Sequence, residues 1–221
     1  MMRHPRIGFS FALLATMLVL LAACGNNTKP GHGVYMLIDT SGTYTEELVK
    51  AQQIINVTLS KLYPGDSFAV ARIDTGSFSE KDIVAKVTFD DRPSTANHQK
   101  RLFKEEIDKF VKTVQPAKYT DITGGILQAT EYLNEKDSGK KTILIFSDLK
   151  EELDKGYNRD IDLELKGFRV VAVNVTKLRS DNYDPKEYMN RMDNWQGRIT
   201  SGGGKWSVTN DMDQLEKIFV N

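Results

Sequence analysis

Two short segments restrict this chain more than anything else in it: Gly-Val-Tyr-Met-Leu-Ile-Asp at residues 33–39 and Lys-Thr-Ile-Leu-Ile-Phe-Ser-Asp at 141–148. Each is a near-continuous apolar run, too short for a typical helix, that ends in a carboxylate. Neither alternates apolar with polar residues, so each demands burial on both faces. Central strands of a parallel sheet with helices on either side meet that demand. The surrounding pattern agrees. Residues 43–62 place Leu48, Ala51, Ile55, Leu59 and Leu62 at helical spacing and close at Tyr63-Pro64-Gly65. Residues 67–74 read as a second strand. Residues 82–89 alternate as a half-exposed edge strand, with Thr75-Gly76-Ser77 permitting a hairpin. Helices are predicted at 94–114, 122–133, 185–195 and 212–220, and strands at 168–175 and 206–209. Strands separated by helices give an α/β fold: a three-layer α/β/α, doubly wound domain with a mostly parallel sheet and one antiparallel edge strand. A chain of 221 residues with 40% hydrophobic and 27% charged residues is enough for one such core, here placed over 33–221, and excludes a disordered or disulfide-stapled chain.

In sheets of this kind ligands sit beyond the carboxyl ends of the strands, where the winding direction reverses. Three loops should meet there: Asp39-Thr40-Ser41-Gly42-Thr43, Tyr119-Thr120-Asp121-Ile122 and Phe146-Ser147-Asp148. Asp39, Ser41, Thr43, Thr120 and Asp148 supply two carboxylates and three hydroxyls. Such oxygen ligands suit a hard cation, Mg²⁺ or alternatively Mn²⁺ or Ca²⁺, and the set lacks the thiolate or imidazole that favours zinc. The competing reading is structural, because an Asp at a strand end often caps the next helix.

The order and setting of these residues resemble the metal-ion-dependent adhesion site of the von Willebrand factor A family, which combines an Asp-x-Ser-x-Ser loop, a distant Thr and a later Asp. Asp39, Ser41 and Thr43 match the loop, Thr120 within Thr-Asp-Ile-Thr-Gly-Gly-Ile matches the distant threonine, and Asp148 matches the later aspartate. Two departures stand out: Thr43 replaces the last Ser but keeps its hydroxyl, and Leu149-Lys150 follow Asp148 where many relatives have Gly. The resemblance implies that the hydroxyls contact the metal while Asp39 and Asp148 act mainly through bound waters. A cation so weakly neutralised can take an Asp or Glu carboxylate from a protein partner. The expected function is therefore metal-dependent protein binding, without catalysis.

Two other classes compete. Asp-Thr-Ser-Gly-Thr is similar to the Asp-Lys-Thr-Gly-Thr loop of haloacid dehalogenase-like phosphotransfer enzymes, in which Asp39 would be the nucleophile. Those enzymes usually carry a second Asp two residues later, a position held here by Ser41, and no Gly-Asp-x-x-x-Asp motif follows. The third class is a von Willebrand A-like scaffold without metal. His32, read as part of a tether, and His98 on a polar helix face offer no Ser-His-Asp arrangement. Glu151-Glu152 read as a solvated loop, Gly202-Gly203-Gly204 as a turn, and Tyr183, Tyr188, Trp195 and Trp206 mostly as helix-to-sheet packing.

The first 23 residues carry Arg3 and Arg6, no acidic residue, and an apolar run from Phe11 to Leu21 that is short for a spanning helix. Leu21-Ala22-Ala23-Cys24 resembles the lipobox of bacterial lipoproteins, so residues 1–23 are expected to be a signal peptide. Cys24, the single cysteine, would be the lipidated residue, and 24–32 a flexible tether. Gly25 resembles an outer-membrane sorting signal, which puts the expected location at the bacterial outer membrane, lipid-anchored and facing the periplasm. Loss of the leader leaves a net charge of about −2, which offers nucleic acid no general attraction.

Overall fold

The computed structural model describes residues 31–219 except Thr43 and Asp137; the expected signal peptide, Cys24 and most of the expected tether fall outside these described residues. Among these residues six strands form one sheet: β1 (His32–Asp39), β2 (Ser67–Ile73), β3 (Ile83–Thr88), β4 (Lys140–Phe146), β5 (Phe168–Val173) and β6 (Lys205–Thr209). Their order is β3-β2-β1-β4-β5-β6. All neighbours are parallel except β2 and β3, whose antiparallel pairing carries an irregularity between Val70 and Ala71. The winding therefore reverses between β1, which ends at Asp39, and β4, which ends two residues before Asp148.

Among the described residues five helices cover the sheet: α1 (Leu48–Lys61), α2 (Pro93–Thr113), α3 (Ile122–Glu135), α4 (Pro185–Ser201) and α5 (Met212–Ile218). The pleat of β1 shows how its sequence divides the layers. Val34, Met36 and Ile38 join one cluster with Leu48, Ala51 and Ile55 of α1, Phe103 and Ile107 of α2 and Leu215 of α5. Tyr35 and Leu37 point into a second cluster with Ile122, Ile126 and Ala129 of α3 and Trp195 and Ile199 of α4. Every β1 residue from Val34 to Ile38 is fully buried, as the unbroken apolar run requires. The three-layer α/β/α fold with one antiparallel edge strand is thus as the sequence led us to expect.

The boundaries shift in instructive ways. β1 takes in His32, whose Nε2 pairs with the Thr142 hydroxyl at 2.8 Å and whose backbone N–H donates to Asp66 at 2.7 Å. The helix expected from residue 43 opens with a 3-10 turn at Thr45–Glu47. α4 continues past Trp195 to Ser201 because Ile199, one turn on, extends its buried stripe. The β4–β5 crossover, residues 147–167, contains no helix. It is held instead by the buried side chains of Leu149, Leu163 and Leu165 and by the polar links described next.

Candidate metal centre

Parallel register places Ile38 opposite Phe146, so the next residues, Asp39 and Ser147, leave the sheet side by side. The Ser147 hydroxyl donates to Asp39 Oδ2 at 2.6 Å, and the Ser41 amide donates to Oδ1 at 2.8 Å. Asp39 is 1% exposed, Thr120 2% and Asp148 3%. Asp148 Oδ1 accepts the Lys150 amide at 2.8 Å.

Backbone bridges stitch the three loops together. The Ala117 amide donates to the Thr40 carbonyl at 2.7 Å, and Ser41 bridges to Ala117. Three residues further on, Thr120 exchanges two hydrogen bonds with Glu152, at 2.7 and 2.9 Å. Asp39, Ser41, Thr120 and Asp148 are thereby brought to one edge of the sheet, at the point where its winding reverses. Thr43 lies outside the described residues. Its neighbour Tyr44 is buried, packs edge-on to Phe146 at 4.9 Å, and donates its hydroxyl to the Asn174 carbonyl. That anchor ties the loop following β1 to the end of β5.

Charge defines the site. Burial raises the Asp39 carboxyl above its ordinary value against the opposing pull of its Ser147 and Ser41 hydrogen bonds. Burial, reinforced by the nearby Asp39, pushes Asp148 up to about 6 even though the Lys150 amide favours its ionised form. Among the described residues no ammonium or guanidinium bonds to either carboxylate. Arg191 passes them by, giving two nitrogens to Asp181 at 2.8 Å and its Nε to the Asp148 carbonyl at 3.1 Å. Two buried carboxylates that repel each other, beside serine and threonine hydroxyls, suit a hard divalent cation. Among the described residues no group of three or more His, Cys, Asp or Glu side chains that could hold a metal ion occurs, here or elsewhere, so the site's other oxygens are hydroxyls.

Further residues hold the site that the motif alone did not reveal. Asp121 caps α3 by accepting the Gly124 amide at 2.8 Å, and its fully buried carboxylate is gripped by Arg159 through contacts at 2.7, 3.0 and 3.1 Å. Arg159 also donates to the Ser77 carbonyl at 3.0 Å, joining the loop beyond β2 to the irregular crossover. Glu151 is not solvated as the sequence suggested. It accepts the Thr123 amide at 2.7 Å and pairs with Arg198 at 3.3 Å, because the exposed amides of the α3 N-terminus draw a carboxylate to them. Spacing could not have found Arg159, 38 residues from its partner Asp121, or Arg198, 47 residues from Glu151.

Two sequence features now acquire physical reasons. A Cβ on Gly124 would stand 2.4 Å from the Ser77 carbonyl and 2.5 Å from Asp121 Oδ2, so this glycine admits the Asp121–Arg159 pair. Gly124→Ala should lower stability by about 1–3 kcal/mol, the range for overpacking; urea unfolding with an unchanged m-value would register it. Leu149, the residue after Asp148, adopts φ +67°, a region costly to any residue with a Cβ. Its 1% exposed side chain in the core, and its carbonyl, which accepts the Trp195 Nε1–H at 3.0 Å, offset that cost.

No family model and no curated protein matches the sequence. Solved structures do. A von Willebrand factor type A protein from Catenulispora acidiphila superposes with a TM-score of 0.54 at 17% identity, covering 86% of this chain and 41% of that one. The pilus adhesin SpaC from Lactobacillus rhamnosus GG, in its open conformation, gives 0.56 at 12% identity, over 88% of this chain and 30% of that one. The PilB minor pilin from Streptococcus sanguinis gives 0.50 at 12%, over 87% and 60%. The chain spans less than two thirds of each of these proteins, and the likeness at such identities is one of fold. Together with the strand order, the aspartates at the winding reversal and the buried threonine between them, it establishes that this chain has the von Willebrand factor type A fold.

Proposed function

We propose that the chain is a lipid-anchored protein of the bacterial cell envelope, placed at the outer membrane and facing the periplasm, that binds a protein partner through a divalent cation and catalyses no reaction. Asp39, Ser41, Thr43, Thr120 and Asp148 would hold a Mg²⁺-type ion, which when bound supplies a positive charge able to take an Asp or Glu carboxylate from the partner. This chain's own part is to fix the oxygens. Ser147 and the Ser41 amide orient Asp39, the Lys150 amide orients Asp148, and the Glu152 bridge holds the Thr120 backbone. The observation that carries the reading is the pair of mutually repelling buried carboxylates, with no cationic side chain bonded to either among the described residues. That one protein of similar fold is named a pilus adhesin supports binding over catalysis.

Titration calorimetry of the chain from Gly25 with Mg²⁺ and Mn²⁺ tests the cation. The wild type should give one saturable site and Asp39→Ala none. Absence of heat from either ion, with the fold intact by circular dichroism, would remove the metal reading and leave a metal-free scaffold. Capture of a partner that is released by chelator and restored by Mg²⁺ tests the rest.

A further inference from the structure

The pole opposite the candidate metal centre has a chemistry of its own. The amino ends of β1, β4, β5 and β6 surround a cavity of about 270 Å³ whose walls include His32, Lys140, Lys141, Phe168, Arg169 and Lys205, and no Asp or Glu among the described residues. Two of these charges, Lys141 and Arg169, rest on neutral groups. Lys141 donates to the Asn134 side-chain oxygen at 2.6 Å and lies 5.4 Å over the Phe168 ring, while Arg169 donates to the Ile218 carbonyl at 3.1 Å. Lys205 is exposed. Two carboxylates at this end are already engaged: Asp66 accepts the His32 and Tyr63 amides at 2.7 Å, and Glu216 pairs with Lys61 at 2.7 Å. Burial holds the His32 imidazole below its ordinary value. Tyr63, 73% exposed, stands in the turn that leads into β2 at this same end.

The chain also enters the fold here. The Gly31 carbonyl accepts the Gly139 amide at 3.0 Å, next to Lys140. Seven residue steps separate Gly31 from Cys24, a reach of at most about 25 Å. β1 itself is about 23 Å long, so a lipid on Cys24 would keep this end near the bilayer and leave the aspartates at the far end. Charges act on an anionic surface within a Debye length, about 8–10 Å, which the short reach permits.

We propose that this basic edge is a membrane-facing surface that binds the anionic headgroups of the bilayer to which the chain is anchored, and so points the metal pole away from the membrane. The proposal takes its anchor from the lipoprotein reading, but its surface can be tested without the lipid. Both core clusters and the sheet described above lie within residues 31–219, so a chain beginning at Gly25 keeps them. That chain should sediment at low salt with vesicles of phosphatidylcholine plus phosphatidylglycerol and not with phosphatidylcholine alone. Lys205→Gln should weaken the partition about fivefold, the worth of one basic residue near an anionic surface. Lys112→Gln, the same charge change at the exposed end of α2, should leave it unaltered. Equal losses in the two variants, or no preference for phosphatidylglycerol, would overturn the proposal. So would displacement from vesicles by millimolar inorganic phosphate, which would make the cavity a soluble-anion site. Labelled palmitate not incorporated at Cys24 would overturn the anchor while leaving the vesicle result to decide the surface.

Discussion

In chelator at neutral pH, Asp148→Asn should melt at a higher temperature than the wild type, and in Mg²⁺ the order should move the other way. The folded chain holds the Asp148 carboxyl at about 6, above its unfolded value near 4, because it is buried and faces Asp39. A carboxyl raised in this way favours folding while it is protonated, and that favour is lost as pH rises from about 4 through 6. At pH 7 the ionised carboxylate therefore costs on the order of 2–3 kcal/mol, or roughly 4–10 °C for a domain of this size. Asparagine removes the charge and can still accept the Lys150 amide. The gap should narrow as pH falls from 7 toward 4. A ligand at a hundred times its Kd adds about 2.7 kcal/mol to the stability of whatever binds it. The wild type should show that gain in Mg²⁺ and Asp148→Asn should not. A variant less stable than the wild type in chelator, or one that still responds to Mg²⁺, would contradict the account of this site as stability given up for a cation.

The second large effect belongs to Arg159→Ala. The substitution leaves the Asp121 carboxylate, fully buried, with the Gly124 amide but without the guanidinium that meets both its oxygens. Breaking a buried pair from one side costs about 3–5 kcal/mol, since the remaining charge stays desolvated. The midpoint of urea unfolding should fall accordingly at constant m. Arg159→Lys should recover only part of the loss, because an ammonium cannot match a carboxylate with two parallel bonds or reach Ser77 at the same time. Mg²⁺ affinity should fall with it, because Asp121 adjoins Thr120 and Arg159 belongs to the crossover that carries Asp148. A loss below about 1 kcal/mol would mean that water reaches Asp121 once the arginine is gone.

These two expectations depend on different kinds of information. Asp148 and Asp39 were legible as a pair because the apolar runs before them are so unbroken that both must be central strands, and central strands of a doubly wound sheet deliver their last residues to a common edge. Arg159 was not legible. It lies in a crossover without hydrophobic period, and its partner is fixed by how that segment lies over the α3 N-terminus. Glu151 misled for the same reason: a local reading sees a run of acidic residues between strands, whereas the fold brings one of them to the unsatisfied amides of a helix.

The sequence by itself determined the layers, the edge strand, and which oxygens could gather at one end of the sheet, because burial on two faces and helical spacing are written in consecutive residues. Only the tertiary structure decided how that edge is held: the Ser147 hydrogen bond to Asp39, the Thr120–Glu152 bridge, the Arg159 grip on Asp121, and the left-handed backbone of Leu149 tolerated for its buried side chain. It also decided that four basic residues from three strands share one cavity beside the point where the chain enters the fold. Such contacts join residues tens of positions apart, and their energies arise from desolvation and register, which do not exist until the strands have been set in order.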